Sequence, residues 1–335
     1  MTTAVSGIKP SGILHLGNYL GMIRPAIRLA ARSDRSCYFI ADYHALNTLR
    51  DPARLHDLTL DVAASLMALG LDPERTALYR QSDVPDTFEL ATVLSAVTPK
   101  GAMNRAHAYK AAVAANDAAG RPADDGVNMG LYTYPVLMAA DILLVEGDLV
   151  PVGRDQVQHV EIARDLANGF NATFGETLRP PSAEVDPTVE VVPGVDGRKM
   201  SKSYGNTIPL FADPEARARL VARVRTDSRR PEEPKDPAAC LVFGLYRQFA
   251  GAEERESTAR RYREGGMGYA EAKACLAAAI ERELGEAGRR FRALRADEVA
   301  LRAVLAGGAA RAREVAAATL GRVREAVGSG RRLTR

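Results

Sequence analysis

The sequence predicts an α/β protein, in which a parallel sheet with crossover helices is followed by an all-helical part. Three observations carry this expectation. Up to about residue 205, short apolar, strand-like runs alternate with helical patterns, as they do when each parallel strand returns through a helix. Beyond Tyr204 the strand-like runs stop and the pattern turns helical. A chain of 335 residues also fits roughly two domains of about 100–200 residues each, expected here over residues 1–205 and 206–335.

The elements follow in order. Ser6-Gly-Ile is a strand-like start that enters a Gly-rich turn and then the helix-compatible run Tyr19 to Leu29. Ser36-Cys-Tyr-Phe-Ile-Ala-Asp42 reads as the next strand. Leu55, Leu58, Val62, Leu66 and Leu69 then recur at three- and four-residue spacing, and Gly70 supplies a helix stop. Thr76 to Arg80, a weaker strand, completes one βαβ unit. Residues 111–126, rich in Ala, Gly and Asp, read as an exposed excursion. In the helical part, Ser228 and three prolines interrupt the pattern between Arg225 and Pro237. The last helix carries Val315, Thr319, Val323 and Val327 on one stripe.

Composition removes several classes. With 46% hydrophobic and 26% charged residues the chain reads as globular and not disordered. Its longest uncharged stretches, such as Pro10 to Ile23 and Val127 to Ala140, are too short to span a bilayer. No basic segment leads into an apolar export signal, so the expected location is cytoplasmic, with no membrane partner. Cys37, Cys240 and Cys275 form no C-x-x-C pair and suggest neither a disulfide framework nor a thiolate metal site. The net charge of +3 is small, yet residues 301–335 hold eight Arg against Glu314 and Glu325, a local +6 that leaves −3 for the rest. That basic end either approaches a polyanion or lines a solvated helix face.

Two segments suit phosphate chemistry. In Ser6-Gly-Ile-Lys-Pro-Ser-Gly-Ile-Leu-His15-Leu-Gly17-Asn18, glycines allow close backbone approach and the helix start offers free N–H groups; the same glycines would also serve a plain tight turn. In Gly197-Arg-Lys199-Met-Ser-Lys202-Ser203, two lysines flank hydroxyl residues. That pattern complements charge on a departing pyrophosphate, or forms a solvated basic loop. A third stretch is Tyr134-Pro-Val-Leu-Met138-Ala-Ala-Asp141-Ile-Leu-Leu, followed by Val150-Pro-Val-Gly153-Arg-Asp155-Gln156-Val-Gln-His159-Val-Glu161. Asp141 stands there amid apolar residues and needs a donor if buried. A substrate N–H, a helix cap or an internal ion pair would each supply one.

His15-Leu-Gly-Asn18 and Lys199-Met-Ser-Lys-Ser203 resemble the two signatures of class I aminoacyl-tRNA synthetases. The third stretch resembles the amino-acid pocket of the bacterial-type tryptophanyl-tRNA synthetases, and the resemblance extends over essentially the whole chain. It implies a Rossmann-like catalytic domain over 1–205 with a helical dimerisation insertion around 101–170, and a helical anticodon-binding domain over 206–335. The implied activity is ATP-dependent attachment of L-tryptophan to tRNA(Trp) through a tryptophanyl-adenylate, releasing AMP and pyrophosphate. On that basis His15, Asn18, Lys199 and Lys202 are the expected catalytic residues. ATP falls to Lys9, Pro10, Ser11, Gly17 and Asn18, to Gly153, Arg154, Asp155 and Val191, and to Lys199, Met200, Ser201, Lys202 and Ser203. Tryptophan falls to Asp141 and Met138, with Gln156, Tyr134 and His44 orienting its backbone or ring edge. His44 also reads as a satisfied core histidine.

The resemblance further implies a homodimer. Mg2+ is expected to arrive with ATP, with no protein metal site, because no carboxylate cluster would cage it. Salt-sensitive contacts to tRNA are expected from the +6 segment. Two positions depart from the family pattern. Lys9 stands where many bacterial members have Gln, and Val5 lies near a position where many have Phe. With the run Pro193 to Asn206, Lys9 resembles an auxiliary subgroup associated with tolerance of tryptophan-mimicking antibiotics. The chain has no Trp, which either lets it be made when charged tRNA is scarce or reflects the rarity of that residue. Three rivals remain: a tyrosyl-tRNA synthetase, a non-charging regulatory paralogue, and a small-molecule adenylate-forming ligase.

Overall fold

The computed structural model describes residues 1–185 and 191–330. Within them five strands form one parallel sheet: β1 (Thr3–Ile8), β2 (Arg35–Ile40), β3 (Thr76–Arg80), β4 (Leu149–Pro151) and β5 (Ser182–Glu184). Their order is β3-β2-β1-β4-β5. β1 pairs with β2 from Thr3 opposite Arg35 to Ile8 opposite Ile40, and with β4 at Ala4 and Leu149. The chain builds outward on one side of β1 and then returns to the other, so the strand order reverses between β1 and β4. Ligands of such sheets bind beyond the carboxyl ends of the strands at that reversal, here just past Ile8 and Pro151.

The short α1 (Leu16–Asn18) runs through a π-helical turn, Tyr19–Ile23, into α2 (Arg24–Arg32), and α3 (Asp42–Ala45) follows β2. α4 (Pro52–Ala68) is capped by Asp51, whose carboxylate accepts from Arg54 N at 3.1 Å. After β3 come α5 (Asp86–Val97), α6 (Lys100–Asn104), α7 (His107–Ala118) and α8 (Met129–Leu144). Residues 111–126 are mostly exposed, as expected of an excursion, and their first part is helical because alanine, the best helix former, continues α7. Only the turn beyond Ala118 is irregular. It is held by Asn116 Nδ2, which donates to Ala123 O at 2.9 Å and Asp125 O at 2.8 Å. α9 (Val157–Phe174) precedes β5, and α10 (Pro214–Ala222), α11 (Leu241–Tyr246), α12 (Ala252–Glu264), α13 (Tyr269–Ala296) and α14 (Glu298–Ala326) follow it.

Side chains alternate across the sheet, as the two-residue period of a strand requires. Tyr38, Ile40 and Leu78 enter one core with Ile23 and Leu276, while Cys37, Phe39 and Tyr79 enter another with Leu90 and Phe170. α14 serves both cores: Leu301 and Leu305 belong to the first, and Ala312, Ala316, Leu320 and Val323 to the second. It crosses β3 at Gly308, where a Cβ would lie 2.0 Å from Leu78 O, so only glycine fits. On its expected stripe Thr319 and Val323 are buried, whereas Val315 and Val327 are half-buried. Strands end before residue 205, but the packing continues across that point.

The described arginines of the basic C-terminal segment stay partly exposed while each engages a neighbouring group. Arg302 pairs with Glu298, Arg322 with Glu146 and Arg324 with Glu89. Arg311 donates to Thr76 O at 2.9 Å and Arg313 to Asp83 O at 2.6 Å. These contacts tie α14 to β3, α5 and the turn after α8. Arg331, Arg332 and Arg335 lie outside the described residues.

Candidate active site

The first segment leaves β1 at Ile8 and turns at Gly12, whose φ of +130° favours glycine. A Cβ there would lie 3.3 Å from Lys202 Nζ, so the turn also lets the second lysine come close. Lys202 Nζ reaches Ser11 Oγ at 3.4 Å. Burial lowers the Lys202 pKa below the usual lysine range, and the nearby charge of Lys9 lowers it further. Lys9, Ser11 and Lys202 therefore form one cationic corner beyond the end of β1.

His15 begins α1, with its backbone N donating to Asn18 Oδ1 at 3.1 Å. Two bonds stitch this segment to residues 208–210: Leu16 N to Ile208 O at 3.0 Å and Leu210 N to Leu14 O at 2.9 Å. The His15 side chain is buried, and its Nδ1 has no hydrogen-bond partner among the described residues. Burial, and secondarily the charge of Lys202, depress its pKa from 6.5 to about 4. The imidazole is neutral at pH 7 and keeps hydrogen-bonding capacity for an incoming group. Gly17 N donates to Met200 Sδ at 3.2 Å, and the Gly17 Cα faces the His15 ring.

The second segment is a hairpin. Pro193 bridges Lys199, and Gly194 N donates to Arg198 O at 2.7 Å. Buried Asn206 organises its far end: Oδ1 accepts from Ser201 N at 2.8 Å, and Nδ2 donates to Asp196 Oδ1 at 2.7 Å and Lys199 O at 3.1 Å. Gly194 packs against it so closely that a Cβ would fall 2.3 Å from Asn206 Cγ. Ser201 and Ser203 share a hydroxyl contact at 2.9 Å. Met200 N donates to Val192 O at 2.8 Å, while its sulfur receives Gly17, so the two signatures touch directly.

Behind them lies a buried polar cluster. Asp141, on α8, accepts from Gln81 Nε2 at 2.9 Å on each carboxylate oxygen and meets His44 Nε2 at 2.9 Å. Burial raises its pKa, opposed by the bonds from His44 and Gln81. The donor expected for Asp141 is thus partly internal, and the carboxylate retains lone pairs for one more. His44 is hydrogen-bonded to Asp141 and is thus a satisfied histidine of this cluster. Its ring stands edge-on to Tyr134, with centroids 6.3 Å apart, and the Tyr134 hydroxyl joins His159 Nε2. Tyr134, Met138 and Asp141 share one face of α8 at four- and three-residue spacing. Asp42 nearby accepts from Ser82 N at 3.1 Å and Tyr43 N at 3.0 Å, which fixes the loops after β2 and β3.

Gly153, Arg154 and Gln156 lie past β4, across the sheet reversal from Lys9. Gly153 and Arg154 line one small cavity with Gly21 and Met22 of the π-helical turn. Pro10 follows β1, and Val191 is exposed at the edge of the hairpin. The side chain of Asp155 lies outside the described residues. No group of three or more His, Cys, Asp or Glu that could hold a metal occurs among the described residues. Sequence reasoning missed Gln81 and the structural role of Asn206. Gln81 carries one usable signal, since it directly follows the carboxyl end of β3, the end of the sheet where ligands bind.

A phosphate-suited turn and a basic hairpin meeting at the reversal of a doubly wound sheet define a nucleotide-handling α/β protein. The model of the family "tRNA synthetases class I (W and Y)" matches residues 1–285, and the chain belongs to that family. It is 51% identical over 333 residues to a tryptophan–tRNA ligase of Pseudomonas aeruginosa, covering 98% of this chain and 74% of that one. The corresponding ligase of Neisseria meningitidis is 47% identical, with 97% of each chain covered. A crystal structure of tryptophanyl-tRNA synthetase from Campylobacter jejuni, complexed with ADP and tryptophan, superposes with a TM-score of 0.87 at 38% identity, covering 98% of this chain and all of that one.

Proposed function

We infer that the chain joins L-tryptophan to tRNA(Trp), first forming tryptophanyl-adenylate and pyrophosphate from ATP and then releasing AMP on transfer to the tRNA 3′ end. The observation that carries this reading is the joining of the two signatures, through Gly17 with Met200 and Ser11 with Lys202, beside the Asp141 cluster. The reported relatives, all tryptophan enzymes at 38–51% identity over nearly the whole chain, favour tryptophan over tyrosine.

In the proposed mechanism the tryptophan carboxylate attacks the α-phosphate in line, and no protein nucleophile is needed. Positioning and charge stabilisation dominate such transfers. His15 and Asn18 hold the phosphates from one side, and Lys199 and Lys202 neutralise the departing pyrophosphate from the other. Lys9, Pro10, Ser11, Gly17, Gly153, Arg154, Asp155, Val191, Met200, Ser201 and Ser203 frame the nucleotide. Asp141, held by Gln81 and His44, accepts the indole N–H over Met138, while Tyr134 and Gln156 orient the amino-acid end. Mg2+ comes with ATP and offsets phosphate charge.

The proposal extends to a homodimer through residues around 101–170, to tRNA docking on the helices of 206–335, and to a cytoplasmic location beside both substrates. With the α14 arginines engaged internally, the phosphate contacts come from exposed cations such as Arg223 and Arg260, which make no ion pair among the described residues. We also propose that Lys9, by adding charge beside Lys202, alters discrimination against tryptophan analogues, as in an auxiliary, antibiotic-tolerant enzyme. Tryptophan-dependent exchange of pyrophosphate into ATP tests the central reading, with tyrosine, phenylalanine and no amino acid in parallel and Asp141→Ala as control. Exchange with tryptophan alone, lost in the variant, is expected. Exchange with tyrosine would move the specificity, and silence with all three would leave a non-charging protein.

A further inference from the structure

We propose that Glu283, on α13, is a positioning residue for the nucleotide: it braces the π-helical turn that follows the first signature and so fixes where that signature stands. The turn Tyr19–Ile23 is closed by Arg24 N, which donates to Tyr19 O, the five-residue bond of a π-helix. The side chains of the same two residues converge on one carboxylate oxygen. Tyr19 Oη donates to Glu283 Oε1 at 2.6 Å, and Arg24 Nη1 reaches that oxygen at 3.4 Å and Gln248 O at 2.9 Å. The Arg24 guanidinium also stands 5.6 Å from the centre of the Tyr19 ring. Tyr19 is buried and the other two are half-buried, which strengthens these bonds relative to exposed ones. Burial, and then Glu283, hold the Tyr19 pKa well above the usual phenol range, so the hydroxyl stays a donor.

A π turn holds one residue more than the α-helical turn it replaces, and such turns are frequent at functional sites. Relaxed to the α form, it would rotate what precedes it by about 100° and shift it by about 1.5 Å relative to α2. His15, Gly17 and Asn18 precede it directly, and Gly17 N meets Met200 of the hairpin. Gly21 and Met22, within the turn, line the small cavity with Gly153 and Arg154. Both halves of the nucleotide site therefore depend on the conformation that Glu283 braces, and the brace comes from a helix of the C-terminal part. The Asp141 cluster is spared, because α8 buries its residues in the other core. That the nucleotide is ATP rests on the function inferred above.

The test uses the full chain, with calorimetric dissociation constants for a non-reacting ATP analogue and, separately, for tryptophan, and amide hydrogen exchange over residues 19–24. Glu283→Ala removes the acceptor, and Tyr19→Phe removes only the hydroxyl. Each should weaken analogue binding about tenfold, the equivalent of one charge-assisted bond, while tryptophan binding stays within about threefold of the parent. Amide exchange over 19–24 should be faster in both. The double variant should bind the analogue no more weakly than Glu283→Ala, since both changes remove the same bond. Tyr19→Phe decides the matter if Glu283→Ala fails to fold. Analogue binding within about threefold of the parent in either folded variant, an equal loss for tryptophan, losses that add in the double variant, or unchanged amide exchange overturns the proposal. None of these readouts needs turnover, so a parent silent in pyrophosphate exchange overturns the function inferred above and not the brace.

Discussion

Replacing Gln81 with Leu should damage tryptophan recognition although Gln81 is assigned no contact with the substrate. Gln81 is fully buried, and its amide donates to both oxygens of Asp141 at 2.9 Å. Its own carbonyl faces His44 N at 3.4 Å, so it sets the angle between Asp141 and His44. A hydrogen bond to a charged group contributes about 1.5–3 kcal/mol, and leaving a buried polar group short of a partner costs about 1–3 kcal/mol. Because His44 still serves Asp141, the lower part of the combined range applies, and we expect about 3 kcal/mol of lost stability. The same misalignment should lower kcat/KM for tryptophan about 100-fold, since each 1.4 kcal/mol is a factor of ten. The bond from Gln81 lowers the Asp141 pKa against burial, so its removal should raise that pKa and carry the acid limb of tryptophan binding to higher pH. Pyrophosphate exchange measured across tryptophan concentration and pH, beside urea unfolding, reads all three effects. A variant with KM for tryptophan within threefold of the parent, an unmoved acid limb and unfolding within about 0.5 kcal/mol would refute this account of the pocket.

Four further outcomes follow from the geometry. His15 titrates near 4 in the fold against 6.5 ordinarily, so the unfolded chain binds more protons between those values. Stability should therefore decline by about 3 kcal/mol as pH falls through that window, and unfolding of His15→Asn should lack that slope. Removing the Lys9 charge should let the Lys202 pKa rise, because Lys9 helps to depress it. The alkaline limb of exchange in Lys9→Gln should then move upward, and the inhibition constant for an indole-type analogue should change; constancy of both would exclude a role for Lys9. Gly308→Ala forces a Cβ to 2.0 Å from Leu78 O, and differential scanning calorimetry should show a loss of about 3 kcal/mol or more. Arg324→Ala breaks a solvent-exposed pair with Glu89, so stability should change by at most about 1 kcal/mol. The slope of tRNA affinity against salt should stay as in the parent, whereas a drop of about one unit would return α14 to the RNA surface.

The signatures and the main strands were legible because their information is local. A turn that approaches phosphates must place Gly12, His15, Gly17 and Asn18 within a few bonds of one another, and β2 and β3 each bury a run of β-prone side chains. α4 showed its stripe for the same reason. What stays hidden in the sequence concerns features fixed by distant partners or by modest propensities. Residues 111–118 carry little apolar patterning, yet alanine needs none to be helical. The arginines of α14 look like a polyanion site in a charge count, because Glu89 and Glu146 lie far upstream and nothing in the local sequence pairs them. Gln81 shows the same limit in the pocket itself. Its meaning comes from α8 bringing Asp141 against the end of β3, so a residue that orients a functional carboxylate looks like any polar residue after a strand until both ends of the hydrogen bond are known.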